Sequence, residues 1–227
     1  MSNAKIHVDY TVYVPKSVEL HIDNSFGDVR LDNVHSELEL FLNHGDVAAY
    51  DINDDADITV KYGDIRCGYV KDAKIEHNFG NLKIEKADKL RLSTIKSDIS
   101  IQEIDRLVID SKNDEIEIEA IKDLTGSFML SDVEIDKLIE RCQLTTKFGS
   151  VEIDEIGQNC KLFKIVSTYT DIEIDESPNS KFTVVMDHGK SFNYGSNIKI
   201  ESENGMDKIM TYGGTIGSGG SLTIDIY

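Results

Sequence analysis

The chain has no tryptophan, only 2 prolines and only 3 cysteines in 227 residues. Cys67, Cys142 and Cys160 form an odd, sparse set without CxxC or Cys/His metal spacing. That excludes a disulfide framework or a zinc site as the organising principle and leaves buried thiols as the expectation. No stretch is long and apolar enough to span a membrane, and no hydrophobic signal region opens the chain. Ser2-Asn3-Ala4 resembles a cloning-tag remnant, in keeping with a trimmed leader. Positive charge is also scarce, with 24 Lys+Arg against 42 Asp+Glu and a formal net charge of −18. The summed field repels phosphate backbones and anionic headgroups, so nucleic acid is not an expected partner. Basic proteins, cationic groups, metal ions and neutral glycans remain open.

What is present is apolar and β-prone. Hydrophobic residues make up 40% of the chain, enough for a core, and Val and Ile alternate with polar residues. The turn phrase Phe26-Gly27-Asp28-Val29 returns as His44-Gly45-Asp46-Val47, Tyr62-Gly63-Asp64-Ile65 and Phe79-Gly80-Asn81-Leu82. Degraded copies end at Ile99, Ile116, Val133, Val151 and Ile172, giving nine copies at 17- or 18-residue spacing, with 21 at the last step.

Aligned, the copies form inward columns. One begins Leu20, Leu38, Ala56 and Ala73, and a second, two residues on, begins Ile22, Leu40, Ile58 and Ile75. After the turn come Val29, Val47, Ile65 and, again two residues on, Leu31, Ala49, Cys67. A last anchor, Val34, Ile52, Val70 and onward, marks the next corner. Period two within each segment predicts two short strands per repeat. Neither strand can bury its own face, so the repeats must stack, each strand on its equivalent. The expected fold is all-β: a single-domain parallel β-solenoid of about nine repeats over 20–177. Residues 1–19 are expected to supply an N-terminal lid strand through Val8, Tyr10, Val12 and Val14, and 178–227 an irregular C-terminal cap. Gly27, Gly45, Gly63, Gly80 and Gly149 fit corners of positive φ, and the adjoining Asp can cap local N–H groups.

The run His21-Ile22-Asp23-Asn24-Ser25-Phe26-Gly27-Asp28-Val29, the phrase Asn43-His44-Gly45-Asp46-Val47 and Gly217-Ser218-Gly219-Gly220-Ser221-Leu222 resemble a bacterial family of adhesin-like proteins of unknown function common in Bacteroidota. The resemblance covers nearly the whole chain. It implies a β-helical protein exported to the cell surface or periplasm, and it brings no catalytic residues. The turn glycine is missing at 97, 114 and 131, leaving those corners open.

The outward column of the second strand changes sign along the chain: Arg30, Ala48, Arg66, Lys83, Ser100, then Glu117, Glu134, Glu152, Glu173. Its companion ends Glu119, Asp136, Asp154, Asp175. Stacking would set like carboxylates about 4.8 Å apart, costing roughly 0.8 kcal/mol per contact even at water's dielectric. This acidic face is either solvated or holds cations or a basic partner. Calcium suits such oxygens, but the EF-hand spacing and the nine-residue calcium repeat are both missing, so no cofactor is expected. Asp28, Asp46 and Asp64 fit turn capping without a metal.

No nucleophile elbow or phosphate loop is present. His77 falls in an inward column as a core residue, and His44 takes a turn position held elsewhere by Phe or Tyr. Phe41, Tyr50 and Tyr69 are candidate sugar-stacking aromatics. The leading functional expectation is a non-catalytic structural or adhesive solenoid presenting repetitive faces to a glycan or protein. A polysaccharide-cleaving enzyme using paired carboxylates is the alternative, and a cell-envelope scaffold or regulator docking a basic partner on the acidic face is the third. Oligomeric state is not encoded legibly.

Overall fold

A computed structural model describes residues 8–158, 160–176, 180–187, 198–206, 209–216 and 222–224. Within them the chain is all-β and winds as a parallel β-solenoid of about nine turns. The coils comprise β1 (Leu20–Asn24), β2 (Val29–Leu31), β3 (Leu38–His44), β4 (Val47–Tyr62), β5 (Ile65–Lys112), β6 (Glu115–Ile156) and β7 (Leu162–Glu176). Extended backbone passes through most corners unbroken, so β4 to β7 each contain several strand segments.

Each coil pairs in parallel with the next, like residue on like: Leu20↔Leu38, Val47↔Ile65, Ile99↔Ile116 and Val151↔Ile172. Register follows from the columns, because a one-residue slip would turn every apolar side chain to solvent. The change from an 18- to a 17-residue repeat is absorbed at an irregularity between Ile52 and Asp55, where the pairing passes from Ile52↔Val70 to Asp55↔Asp72. From the second coil on, the apolar members of the five expected columns are no more than 8% exposed. In the first coil, Leu20, Ile22, Val29 and Leu31 are only half-buried. Gly126, the odd member of its column, makes room for the buried ring of Phe128, which a Cβ would overlap.

The corners come in three constructions. At Gly45 and Gly63 the glycine itself takes positive φ, 139° and 149°, and a Cβ at either would overlap the carbonyl of the preceding corner glycine. At Phe79-Gly80 and Phe148-Gly149 both residues take positive φ, and where glycine is missing only the residue before its place does, at Lys96 (φ 52°), Asn113 (60°), Leu130 (55°) and Tyr169 (53°). After Lys96, Asn113 and Leu130 the next side chain, Ser97, Asp114 or Ser131, turns inward and is buried. The glycine-free corners left open by the sequence are thus completed by polar residues inside the coil.

Those residues meet a sixth inward column, of which the sequence reading singled out only His77: Leu42, Val60, His77, Thr94, Ser111, Phe128, Thr146 and Ser167, all buried. Asp114 is the hub, 4% exposed. Its Oδ2 accepts from Thr94 Oγ1 (2.6 Å), Ser111 Oγ (2.6 Å) and the Lys112 N–H (3.1 Å), and its Oδ1 from the Ser97 N–H (2.8 Å).

The two ends differ. Residues 8–19 contain no strand, and Val8, Tyr10, Val12 and Val14 are exposed, so the expected lid strand is not formed there. At the other end, β8 (Ser180–Asp187) joins β7 in parallel, while β9 (Ile198–Met206) and β10 (Ile209–Ile216) extend the sheet antiparallel in the order β8-β10-β9. β11 (Leu222–Ile224) returns antiparallel against Ile172–Ile174 of β7. Phe182 and Val184 lie in β8, Ile198 and Ile200 in β9, Ile209 in β10, and Leu222 and Ile224 in β11. Gly217, Gly219, Gly220 and Ile226 lie outside the described residues.

Candidate functional site

The acidic face is assembled as the columns imply. Ser100 pairs with Glu117 and Glu152 with Glu173 across adjacent coils. Glu117, Glu119, Glu134, Asp136, Glu152 and Glu173 are exposed and Asp154 is half-exposed. Asp175 lies in β7, but its side chain is outside the described residues. Among the described residues, none of the other seven enters an ion pair, whereas the opposite corner is laced by Lys86–Glu103, Lys122–Asp105 and Lys137–Glu155. The Glu134 carboxyl is held above its ordinary range by partial desolvation and then by the charges of Glu152 and Glu117.

Toward the N-terminal side of the same outer face, the sign change creates an open, shallow groove of about 480 Å³. Its polar lining comprises Arg66, Asn81, Lys83, Asp98, Ser100, Glu115 and Glu117. Sequence reading located the sign change but missed Asn81, Asp98 and Glu115, which lie at the turn end of the strand rather than in the two outward columns.

The turn aspartates are capping groups, but between coils rather than within one. Asp28 Oδ1 accepts the Asp46 N–H at 3.1 Å, Asp46 Oδ1 the Asp64 N–H at 2.9 Å, and Asp64 Oδ1 the Asn81 N–H at 3.0 Å. For Asp64, desolvation opposes ionisation, yet the hydrogen bonds from Asn81 and the Arg66 charge outweigh it and lower its pKa. Each carboxylate already caps the next coil, which accounts for these side chains without a metal. Among the described residues no group of His, Cys, Asp and Glu is arranged to hold one.

Beside this ladder runs an aromatic one. Phe26, His44, Tyr62 and Phe79 stack with centroids 5.2, 4.9 and 5.1 Å apart and ring planes within 21° of parallel. Their faces are occupied by one another, so mainly edges are offered to solvent, while Phe26, 75% exposed, keeps its outer side open. Of the three aromatics expected to meet sugars, Tyr50 is 73% exposed and fits. Phe41 is covered by the Lys61 ammonium, 5.3 Å from its centroid, and Tyr69 is half-buried with its hydroxyl donating to Asp88 at 2.8 Å. Desolvation, and then that bond, push the Tyr69 phenol up to about 12.

The remaining reactive groups are core residues. Cys67 and Cys142 are buried and Cys160 half-buried; burial pushes the Cys67 thiol up to about 12 and raises the other two. His77 is fully buried, with Nε2 2.8 Å from Gly63 O and Nδ1 without a partner.

No family model, curated protein or solved structure matches the chain.

Proposed function

We propose that this protein is a non-catalytic structural or binding solenoid that presents the outer face of its second-strand sheet to a glycan or protein. The family resemblance adds that it acts at the cell surface or in the periplasm. The observation carrying this reading is the outer face itself, a repetitive, exposed surface from Arg30 to Glu173 with an open groove where its charge changes sign. Amide, hydroxyl and carboxylate groups from Asn81, Ser100 and Asp98 suit hydrogen bonding to sugar hydroxyls along such a groove.

Glycoside cleavage needs paired carboxyl groups in walls that exclude water and fix the substrate, and this groove is shallow and open. Screening polysaccharides for binding, and the same mixtures for new reducing or unsaturated ends, tests both halves of the proposal. Binding without new ends supports it; new ends that vanish in Glu117→Gln would overturn it in favour of the enzyme.

The unpaired carboxylates favour one second reading, a basic partner docked on Glu117 to Asp175. Glu134→Lys with Glu152→Lys would abolish capture of a basic partner, and unchanged affinity would reject it. Calcium is separated in the same way: after EDTA treatment, a melting point raised by calcium but not by magnesium at matched ionic strength would mark specific binding.

A further inference from the structure

We infer that the N-terminal end of the solenoid is a self-association surface, on which a second copy of this chain docks head to head. This inference is independent of any ligand on the outer face. Among the described residues β1 and β2 pair only with the second coil, so that the other edge of each presents backbone N–H and C=O groups with no described strand beside them. The first coil also leaves Leu20, Ile22, Val29 and Leu31 half-buried, although their column mates above are closed off. The aromatic ladder ends here too, on the open side of Phe26. One end thus shows an unfilled backbone template, unfilled apolar columns and an unfilled ring stack together.

The exposed apolar side chains concentrate at this end. Of seventeen exposed large hydrophobics among the described residues, seven fall between residues 8 and 26: Val8, Tyr10, Val12, Tyr13, Val14, Val18 and Phe26. At roughly 200 Å² per aromatic, Tyr10, Tyr13 and Phe26 alone expose about 500 Å². The four valines bring the summed exposure to on the order of 800 Å², about one partner's share of a standard interface.

The chain's own arm does not complete the end as a further coil. One repeat before Val34 and Val29 stand Lys16 and Thr11, so the corner anchor and one inward position would be polar. Tyr10 and Tyr13 are 86% and 92% exposed, not laid on β1 or β2. Nor, among the described residues, does the C-terminal end offer a matching coil, since β8 pairs with β7 over three residues and β11 runs antiparallel against its second-strand segment. The surface complementary to an open first coil is therefore another open first coil. Two edges related by a two-fold axis can pair antiparallel, bring Phe26 of each copy together and leave no further end to extend, giving a closed dimer.

Sedimentation velocity over a concentration series tests this on the intact chain. The wild type should run at twice the monomer mass, and Tyr10→Asp with Tyr13→Asp, both fully surface positions, should return it to monomer with an unchanged circular dichroism spectrum. In a Cys160→Ser background, Phe26→Cys should form an intermolecular disulfide under mild oxidation and Val108→Cys, distant and exposed, should not. A wild type that stays monomeric at its highest soluble concentration would overturn the inference. So would a dimer that survives both Tyr substitutions and fails to cross-link through position 26.

Discussion

Thr94 and Asp114 are twenty residues apart in the chain, yet Thr94 Oγ1 donates to Asp114 Oδ2 at 2.6 Å inside the solenoid. With Ser111 and the Ser97 and Lys112 amides on the same carboxylate, the bond ties two successive coils together where the corner glycine has been lost, and Ser131 Oγ, bonded to Ser111 Oγ and to the Asp114 N–H, joins the third. A buried carboxylate is tolerated only when its oxygens are this fully occupied.

Asp114→Ala strips four donors of one acceptor. Buried donors left unmet cost about 1–3 kcal/mol each when water cannot reach them, so the loss should amount to several kcal/mol, on the order of 3–5 kcal/mol once the coil relaxes. Urea unfolding should show that loss for Asp114→Ala and a smaller one for Asp114→Asn, which keeps an acceptor but introduces an N–H₂. Equal losses would mean that the shape of the side chain, not its acceptors, closes the corner.

His77 makes acid a specific stress. Desolvation lowers its pKa, outweighing Gly63 O and the charges of Asp64 and Asp114, which favour the proton. With the folded pKa below the unfolded value of about 6.5, both states are neutral above that pH and the contribution is complete. As pH falls below it, the unfolded chain takes up a proton first and stability is lost until the folded pKa is passed. The melting point should therefore drop between neutral pH and pH 5, and His77→Val, which copies Val60 in the same column, should flatten that part of the profile.

Tyr62 has a ring on each side and Phe26 on one. At about 0.5–1.5 kcal/mol per aromatic pair, Tyr62→Ala should cost roughly twice the stacking of Phe26→Ala, measured by denaturant midpoints at constant m.

Leu130 occupies the left-handed region at φ 55° while 49% exposed, a conformation costing a non-glycine residue on the order of 1 kcal/mol. Asn113 holds the equivalent corner one coil earlier. Leu130→Asn should raise stability by about 0.5–1 kcal/mol in chemical denaturation, since asparagine tolerates that region best after glycine. A fall in stability would show that the exposed leucine contributes packing that outweighs its backbone strain.

The sequence by itself determined the solenoid, its repeat length, its register and the order of charges on the outer face. Period-two alternation repeated every 17 or 18 residues admits one arrangement in which Leu20, Leu38 and Ala56 all point inward, and the side chains between them, Glu117 to Glu173 included, are then forced outward. Tertiary structure decided what depends on contact between coils. Asp28, Asp46 and Asp64 read as local turn caps because capping within a turn is a short-range pattern, and only stacking revealed that each serves the next coil. Apart from His77, the sixth inward column escaped the alternation because it changes from Leu42 and Val60 to Thr94 and Ser111, and hydropathy cannot mark as buried a polar side chain whose partner lies one coil away. The open end at β1 is likewise a property of the stack, since Val8 to Val14 alternate like a strand but reach no edge on which to pair.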